Sequence, residues 1–235
     1  MNTSSTTAGA RSINVLIVTY SRFGVLKLMS EYIAEGARSV PGADVHLMEV
    51  DDLPIDSLRP GESETDHLLR RGVLLDRIAA ADALIVGAPA YFGSMASPVK
   101  RFFEDCLTAA SAPPAVDRSR PWRHAVLQDT VGGAFTASGT PHGGNELALH
   151  SILTMFMHLG MIVVTPGQGQ PILSNPAAPY GATAVSGASG DNLPTAAEQE
   201  AARALGVRVA RVATWVSLGR TEWERNQAPN TRTAG

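Results

Sequence analysis

What most constrains this chain is a recurrence. Short, continuous runs of apolar and β-branched residues are followed by stretches whose apolar residues fall at helical spacing. "INVLIVT" (13–19) is such a run, the pattern of a strand buried on both faces. Leu26, Met29, Ile33 and Ala37 then repeat at helical spacing, and "VPG" (40–42) ends the element. Further strands are predicted at "DVHLMEV" (44–50), "DALIVGA" (82–88), "RHAVLQD" (123–129) and "MIVVT" (161–165). Helices are predicted around Leu68–Ala79, over Pro98–Leu107 and over about 144–159. A last helix opens with Thr195 and Glu198 as a capping box and shows Leu205, Val209, Val212 and Val216 on one face.

Five apolar strands separated by helices predict an α/β fold with a parallel sheet covered on both sides. A chain of 235 residues fits one such domain, expected over 13–217, with 1–12 and 219–235 as disordered tails. Ligands of these folds sit at the carboxyl ends of the strands, which singles out the loops at 19–24, 88–95 and 130–144. The long, small-residue-rich segment 168–192 reads as functional or disordered, and its part 177–189 as a candidate subunit contact.

Composition narrows the partners. With 44% hydrophobic and 17% charged residues the chain has the make-up of an ordinary soluble protein. A formal net charge of −3 gives no global pull toward nucleic acid or an anionic membrane, so neither partner is expected. The longest apolar stretch, 151–164, is too short to span a bilayer and is broken by His158 and Gly160. The first residues lack the apolar run of a signal peptide. A single cysteine, Cys106, lies in a helical pattern, which suits a packed thiol and a reducing, cytoplasmic setting.

In "VLIVTYSRFGVLKLM" a strand hands over to a helix at Ser21, Arg22, Phe23 and Gly24, ahead of Val25 and Leu26. Such a join exposes backbone N–H groups that no helical carbonyl can satisfy, and with the helix dipole they make an anion site. Ser21 adds a hydroxyl, Arg22 a charge, and Gly24 close approach. Neither GxGxxG nor GxxxxGK(S/T) is present, and a tight turn with an N-cap serine reads equally well from this stretch alone. The second loop runs Pro89, Ala90, Tyr91, Phe92, Gly93. Its two aromatics either lie against a flat ring system or simply cap the core. The third holds Ser138, Gly139, Thr140, Pro141, His142, Gly143 and Gly144, the ingredients of a backbone cradle or of a flexible surface loop. His142, His150 and His158 recur every eight residues, which on a helix fans them out by about 80° per step, so no metal site is expected.

"YSRFGVLKLM", "GAPAYFGSM…VKRFFED", "TASGTPHGGNE", "HLGMIVV", "PYGATAVSG" and "PTAAEQEAARALGVRVA" occur in order along the chain. In these motifs the sequence resembles the WrbA-type flavoproteins over about residues 13–217. The resemblance implies a flavodoxin-like three-layer sandwich with a five-stranded parallel sheet. It also implies an FMN-dependent NAD(P)H oxidoreductase, with NADH or NADPH as donor and a quinone or related aromatic acceptor taking two electrons. By the same resemblance Ser21 to Leu26 would hold the FMN phosphate, Pro89 to Gly93 one side of the flavin, and Ser138 to Gly144 the other side and the ribityl chain. His142 would lie near the flavin or substrate, no protein side chain would be a covalent catalyst, and the assembly would be a homodimer or homotetramer. The chain departs from the family's pattern at Ala90 and Tyr91, where threonine and arginine are common, and at Leu159, where a second histidine is. These changes imply a pocket of altered shape and polarity. The alternative readings are a flavodoxin-like electron carrier, or a specialised or degenerate member acting in natural-product tailoring or as a scaffold.

Overall fold

β1 (Ile13–Thr19) is the inner strand on which the sheet is built: it pairs in parallel with β2 (Ala43–Glu49) on one side and β3 (Ala83–Tyr91) on the other. β3 pairs in parallel with β5 (Val131–Ser138), whose far edge carries β6 (Ile162–Val163) and β7 (Ala182–Val185). The strand order is β2-β1-β3-β5-β6. Because β6 pairs with Val131 and Gly132 and β7 with Phe135 to Ser138, the two form a single edge strand in two pieces. A two-residue strand, β4 (Ser94–Met95), folds back antiparallel on the end of β3. The structure, a computed structural model, describes residues 12–55, 57–110, 126–168 and 179–227.

Helices α1 (Val25–Arg38) and α5 (Ala196–Gln227) cover one face of the sheet; α2 (Glu64–Ala79), α3 (Ser97–Ala110) and α4 (Asn145–His158) belong to the other. Alternation along β1 divides its side chains between two cores. Leu16, Val18 and Tyr20 join α3 and α4 residues, while Ile13, Val15 and Ile17 join those of α1 and α5. The result is the flavodoxin-like three-layer α/β sandwich expected, with its five parallel strand positions. α1 and α5 meet backbone to backbone: a Cβ on Gly36 would strike the Arg203 carbonyl, and one on Gly206 the Ile33 carbonyl.

The fourth strand differs from the expectation. Residues 126–129 form a turn, 123–125 lie outside the described residues, and the strand is Val131–Ser138, which the sequence reading had placed in a glycine-rich loop. Its glycines are there because helices press on both faces. A Cβ on Gly132 would come within 2.8 Å of the Phe156 ring, and one on Gly133 within 2.7 Å of Val209. The helix following it starts at Asn145, so the true third loop is 139–144. β7 was not foreseen within 168–192. At the carboxyl end α5 continues to Gln227, so residues 219–227 are helical and not tail. The remaining tail assignments, 1–11 and 228–235, lie outside the described residues. The capping box is present: Thr195 Oγ1 accepts from the Glu198 N–H at 3.3 Å, and Glu198 Oε2 accepts from the Thr195 N–H at 2.7 Å.

Candidate functional site

The carboxyl ends of β1, β3, β5 and β7 carry four loops that surround one cleft of about 230 Å³. From the first loop come Ser21, Arg22, Phe23, Val25 and Leu26, and from the second Pro89, Ala90 and Tyr91. Ala137, Ser138 and Gly139 follow from the end of β5, and Ser186, Gly187, Ala188 and Gly190 from the segment after β7.

α1 starts at Gly24, which takes the left-handed conformation (φ 90°) and offers no side-chain cap. The first helical bond runs from the Leu28 N–H to the Gly24 carbonyl at 3.1 Å, so the N–H groups of the first turn have no carbonyl within the helix. Just before this turn Thr19 is buried and its hydroxyl has no partner among the described residues. Arg22 is exposed beside it. α4 repeats the design: Gly144 caps it at φ 87° with no side-chain bond, and the buried Asn145 leaves its Oδ1 unpartnered. The unsatisfied backbone N–H donors at the start of α1, on the cleft, are suited to an anion, whereas the Asn145 Oδ1 is an acceptor and calls for a donor.

The second loop is a tight hairpin. Phe92 (φ 52°) and Gly93 (φ 74°) both lie in the left-handed region and link Tyr91 to its partner Ser94, as a two-residue primed turn requires. Tyr91 turns into the cleft wall, whereas the Phe92 ring stands fully exposed at the tip. Met95 is fixed from below, its N–H donating to Ser151 Oγ of α4 at 2.9 Å.

The third and fourth loops are joined. The Ser186 N–H and hydroxyl both donate to the Ser138 carbonyl, at 2.8 and 3.2 Å. A Cβ on Gly139 would lie 3.2 Å from the Gly187 carbonyl oxygen, so glycine keeps the two backbones together. The first and fourth loops touch through Phe23, whose ring would lie 2.7 Å from a Cβ on Gly190. Thr140, Pro141, His142, Gly143 and Gly144 follow Gly139 but are not on the cleft wall; neither are Gly24, Phe92 and Gly93. His142 is exposed.

At the foot of the first loop the Tyr20 hydroxyl donates to Asp52 Oδ1 at 2.9 Å, and the Arg101 guanidinium donates to the Asp52 carbonyl. Burial, and next the hydrogen bond to the Asp52 carboxylate, push the Tyr20 phenol above its usual value, so it stays a neutral donor.

From sequence the fourth wall is legible only as part of the long segment 168–192, functional or disordered, and its residues are not among those expected at the cofactor. Its signal was present: "ATAV" followed by "SGASG" is an apolar run ending in small residues, as at the third loop. The run is only four residues long and follows a polar, proline-bearing segment, which hides it as a strand.

Residues 15–170 match the family model described as NADPH-dependent FMN reductase. A protein of Acidovorax ebreus named NAD(P)H dehydrogenase (quinone) is 36% identical over 205 residues, covering 85% of this chain and 96% of that protein. One of the same name from Methylocella silvestris is 33% identical over the same shares. Among solved structures, a WrbA-like flavodoxin from Agrobacterium tumefaciens superposes with a TM-score of 0.57 at 27% identity, covering 87% of this chain and 99% of that one. A flavodoxin from the domain Archaea shares the fold at 19% identity and a TM-score of 0.54. With the cleft lying at the strand ends where such folds bind their ligands, and relatives matched across nearly their whole length, the chain belongs to the NADPH-dependent FMN reductase family.

Proposed function

We propose that this protein is an FMN-dependent NAD(P)H oxidoreductase that reduces a quinone or related aromatic acceptor by two electrons. The observation that carries this reading is the start of α1. The start of α1 has no side-chain cap, and the residues around it, Ser21, Arg22, Phe23, Val25 and Leu26, line one side of a cleft formed by four loops. A phosphate monoester supplies the acceptors that the N–H groups of this helix start lack. The curated relatives named NAD(P)H dehydrogenase (quinone) support the donor and acceptor classes.

In this reading Ser21 to Leu26 bind the FMN phosphate through backbone N–H groups, with the exposed Arg22 adding charge. Pro89 to Gly93 flank one side of the ring system, and Ser138 to Gly144 the other side and the ribityl chain. When bound, FMN supplies the two-electron chemistry, accepting hydride equivalents from NADH or NADPH and passing them on. The protein's part is position and solvation. Buried Pro89 and Ala137 keep water from one part of the cleft, while Ser138 and Ser186, locked to each other, hold its edge. Ser186 to Gly190 form the remaining wall and shape the space left for the acceptor. Tyr91 gives that space a neutral aromatic border. A homodimer or homotetramer in a reducing cytoplasm completes the proposal; the one cysteine, Cys106, is buried, and none of the described helices is long and apolar enough to cross a membrane.

The test is anaerobic reduction of the FMN-loaded protein. NADPH or NADH should bleach the flavin absorbance without a lasting one-electron form, and one equivalent of a benzoquinone should restore it. Flavin that is bound yet unbleached by either donor would sink the proposal.

A further inference from the structure

The last buried residue of α5 is Ser217, yet the helix runs on to Gln227. Thr221 is still half-buried, and beyond it the last six residues, 222–227, about 9 Å of helix, are all exposed. Large apolar groups lie where none are needed for this chain's own core: Trp215, Leu218 and Trp223 are 60, 53 and 67% exposed.

Four exposed residues fall on one stripe at spacings of four, three and four: Arg211, Trp215, Leu218 and Glu222. The stripe has cationic and anionic ends around an apolar middle, and its spacing reads the same in both directions. Laid antiparallel on a copy of itself, it sets Trp215 against Leu218 of the second copy and Arg211 against Glu222 of the second copy, twice over. Arg211 has no hydrogen-bond or ion-pair partner among the described residues, while Glu222 already accepts from Arg225 and Asn226 of its own helix and would share its carboxylate with the second copy's Arg211. In the same register the last turns of the second copy lie over a cleft of about 290 Å³ in which the charged Glu200, Arg208 and Arg211 stand among Pro166, Val207 and Trp215. Arg208 and Arg225 of the second copy come opposite each other, but each is already engaged: Arg208 with the Thr165 carbonyl at 2.6 Å, and Arg225 with its own Glu222.

We infer that the exposed face of α5 from Arg211 to Gln227 is a homotypic interface, formed by antiparallel pairing with α5 of a second copy of this chain. This rests on the homo-oligomer proposed above and assigns it a surface. An isologous contact of this kind is closed by a two-fold axis through the Trp215–Leu218 pair.

The experiment is sedimentation equilibrium of the full chain, as wild type, Arg211→Glu, Glu222→Arg and the double swap. The wild type should be an even-numbered assembly. Each single swap places like charges together at two symmetric positions and should weaken this association by about ten-fold or more; the double swap should recover it to within about three-fold. Both substituted positions are exposed, and circular dichroism with FMN titration verifies that each variant is folded. An associating wild type whose association neither single swap weakens would overturn the assigned surface and leave the oligomer standing. A monomeric wild type would overturn both.

Discussion

Glu198, in the first turn of α5, accepts the Val185 N–H through Oε1 at 2.9 Å, while its Oε2 accepts the N–H and hydroxyl of Thr195 at 2.7 and 2.9 Å. One buried carboxylate thus caps a helix and fastens the end of β7, the strand that leads directly into Ser186 and Gly187 on the cleft wall. Replacing it by alanine leaves two N–H donors without partners. Glu198→Ala should lower stability by about 1–3 kcal/mol, read by urea unfolding. Its FMN affinity should fall by roughly ten-fold, about 1.4 kcal/mol. Unchanged affinity alongside reduced stability would mean that the wall after β7 does not position the cofactor.

A second carboxylate gives a pH signature. The Arg70 guanidinium, and then the Arg59 N–H, hold Glu62 down at about 2 from its ordinary 4.5. The unfolded chain therefore takes up the proton first as pH falls. The stability from this pair is fully present above about 4.5 and is lost as pH drops through that value toward about 2. Glu62→Gln lacks this dependence, so the difference between its urea midpoint and that of the wild type should shrink from pH 5 to pH 2. A constant difference over that range would contradict the ion pair.

Where α1 and α5 cross, the backbones touch. Gly206→Ala drives a methyl into the Ile33 carbonyl, and neither helix can retreat without opening the core around Ile33, Leu205 and Val209. The expected cost is about 3 kcal/mol, visible as an earlier denaturant midpoint with an unchanged slope. A loss under about 0.5 kcal/mol would show that the helices are not in backbone contact.

These effects bear on how much of the molecule its sequence reveals. β1 and β3 were legible because continuous runs such as "INVLIVT" leave no other reading, and α5 because Thr195 and Glu198 mark its start. β5 was not, since periodicity is carried by side chains and Gly132 and Gly133 have none; they are glycine because Phe156 and Val209 occupy the space. Three loops of the cleft followed from strand order alone. The fourth depended on β7 pairing with β5, a partner nearly fifty residues away, of which the four-residue run "ATAV" is only a weak local signal. Likewise 219–235 reads as a tail, yet α5 runs on to Gln227.

Phe23 on Gly190 offers a direct handle on the closure of the cleft. Gly190 has φ 78°, and a methyl there would meet the Phe23 ring at 2.7 Å. Gly190→Ala combines left-handed strain of about 1–2 kcal/mol with displacement of Phe23. It should weaken FMN binding several-fold, measured by flavin fluorescence, and leave the far-ultraviolet spectrum unchanged. Wild-type affinity in this variant would show that the two loops need not touch.

The four-loop cleft at the strand ends should bind FMN by its phosphate. Titrating the apoprotein with FMN and, separately, with riboflavin, while following flavin fluorescence, tests it most directly. Saturable one-to-one binding of FMN is expected, with a dissociation constant of about 1 μM or below, and riboflavin should bind about a hundred-fold more weakly, the effect of a charge-assisted phosphate contact. Equal affinity for the two flavins, or no saturable FMN binding up to about 100 μM, would contradict it.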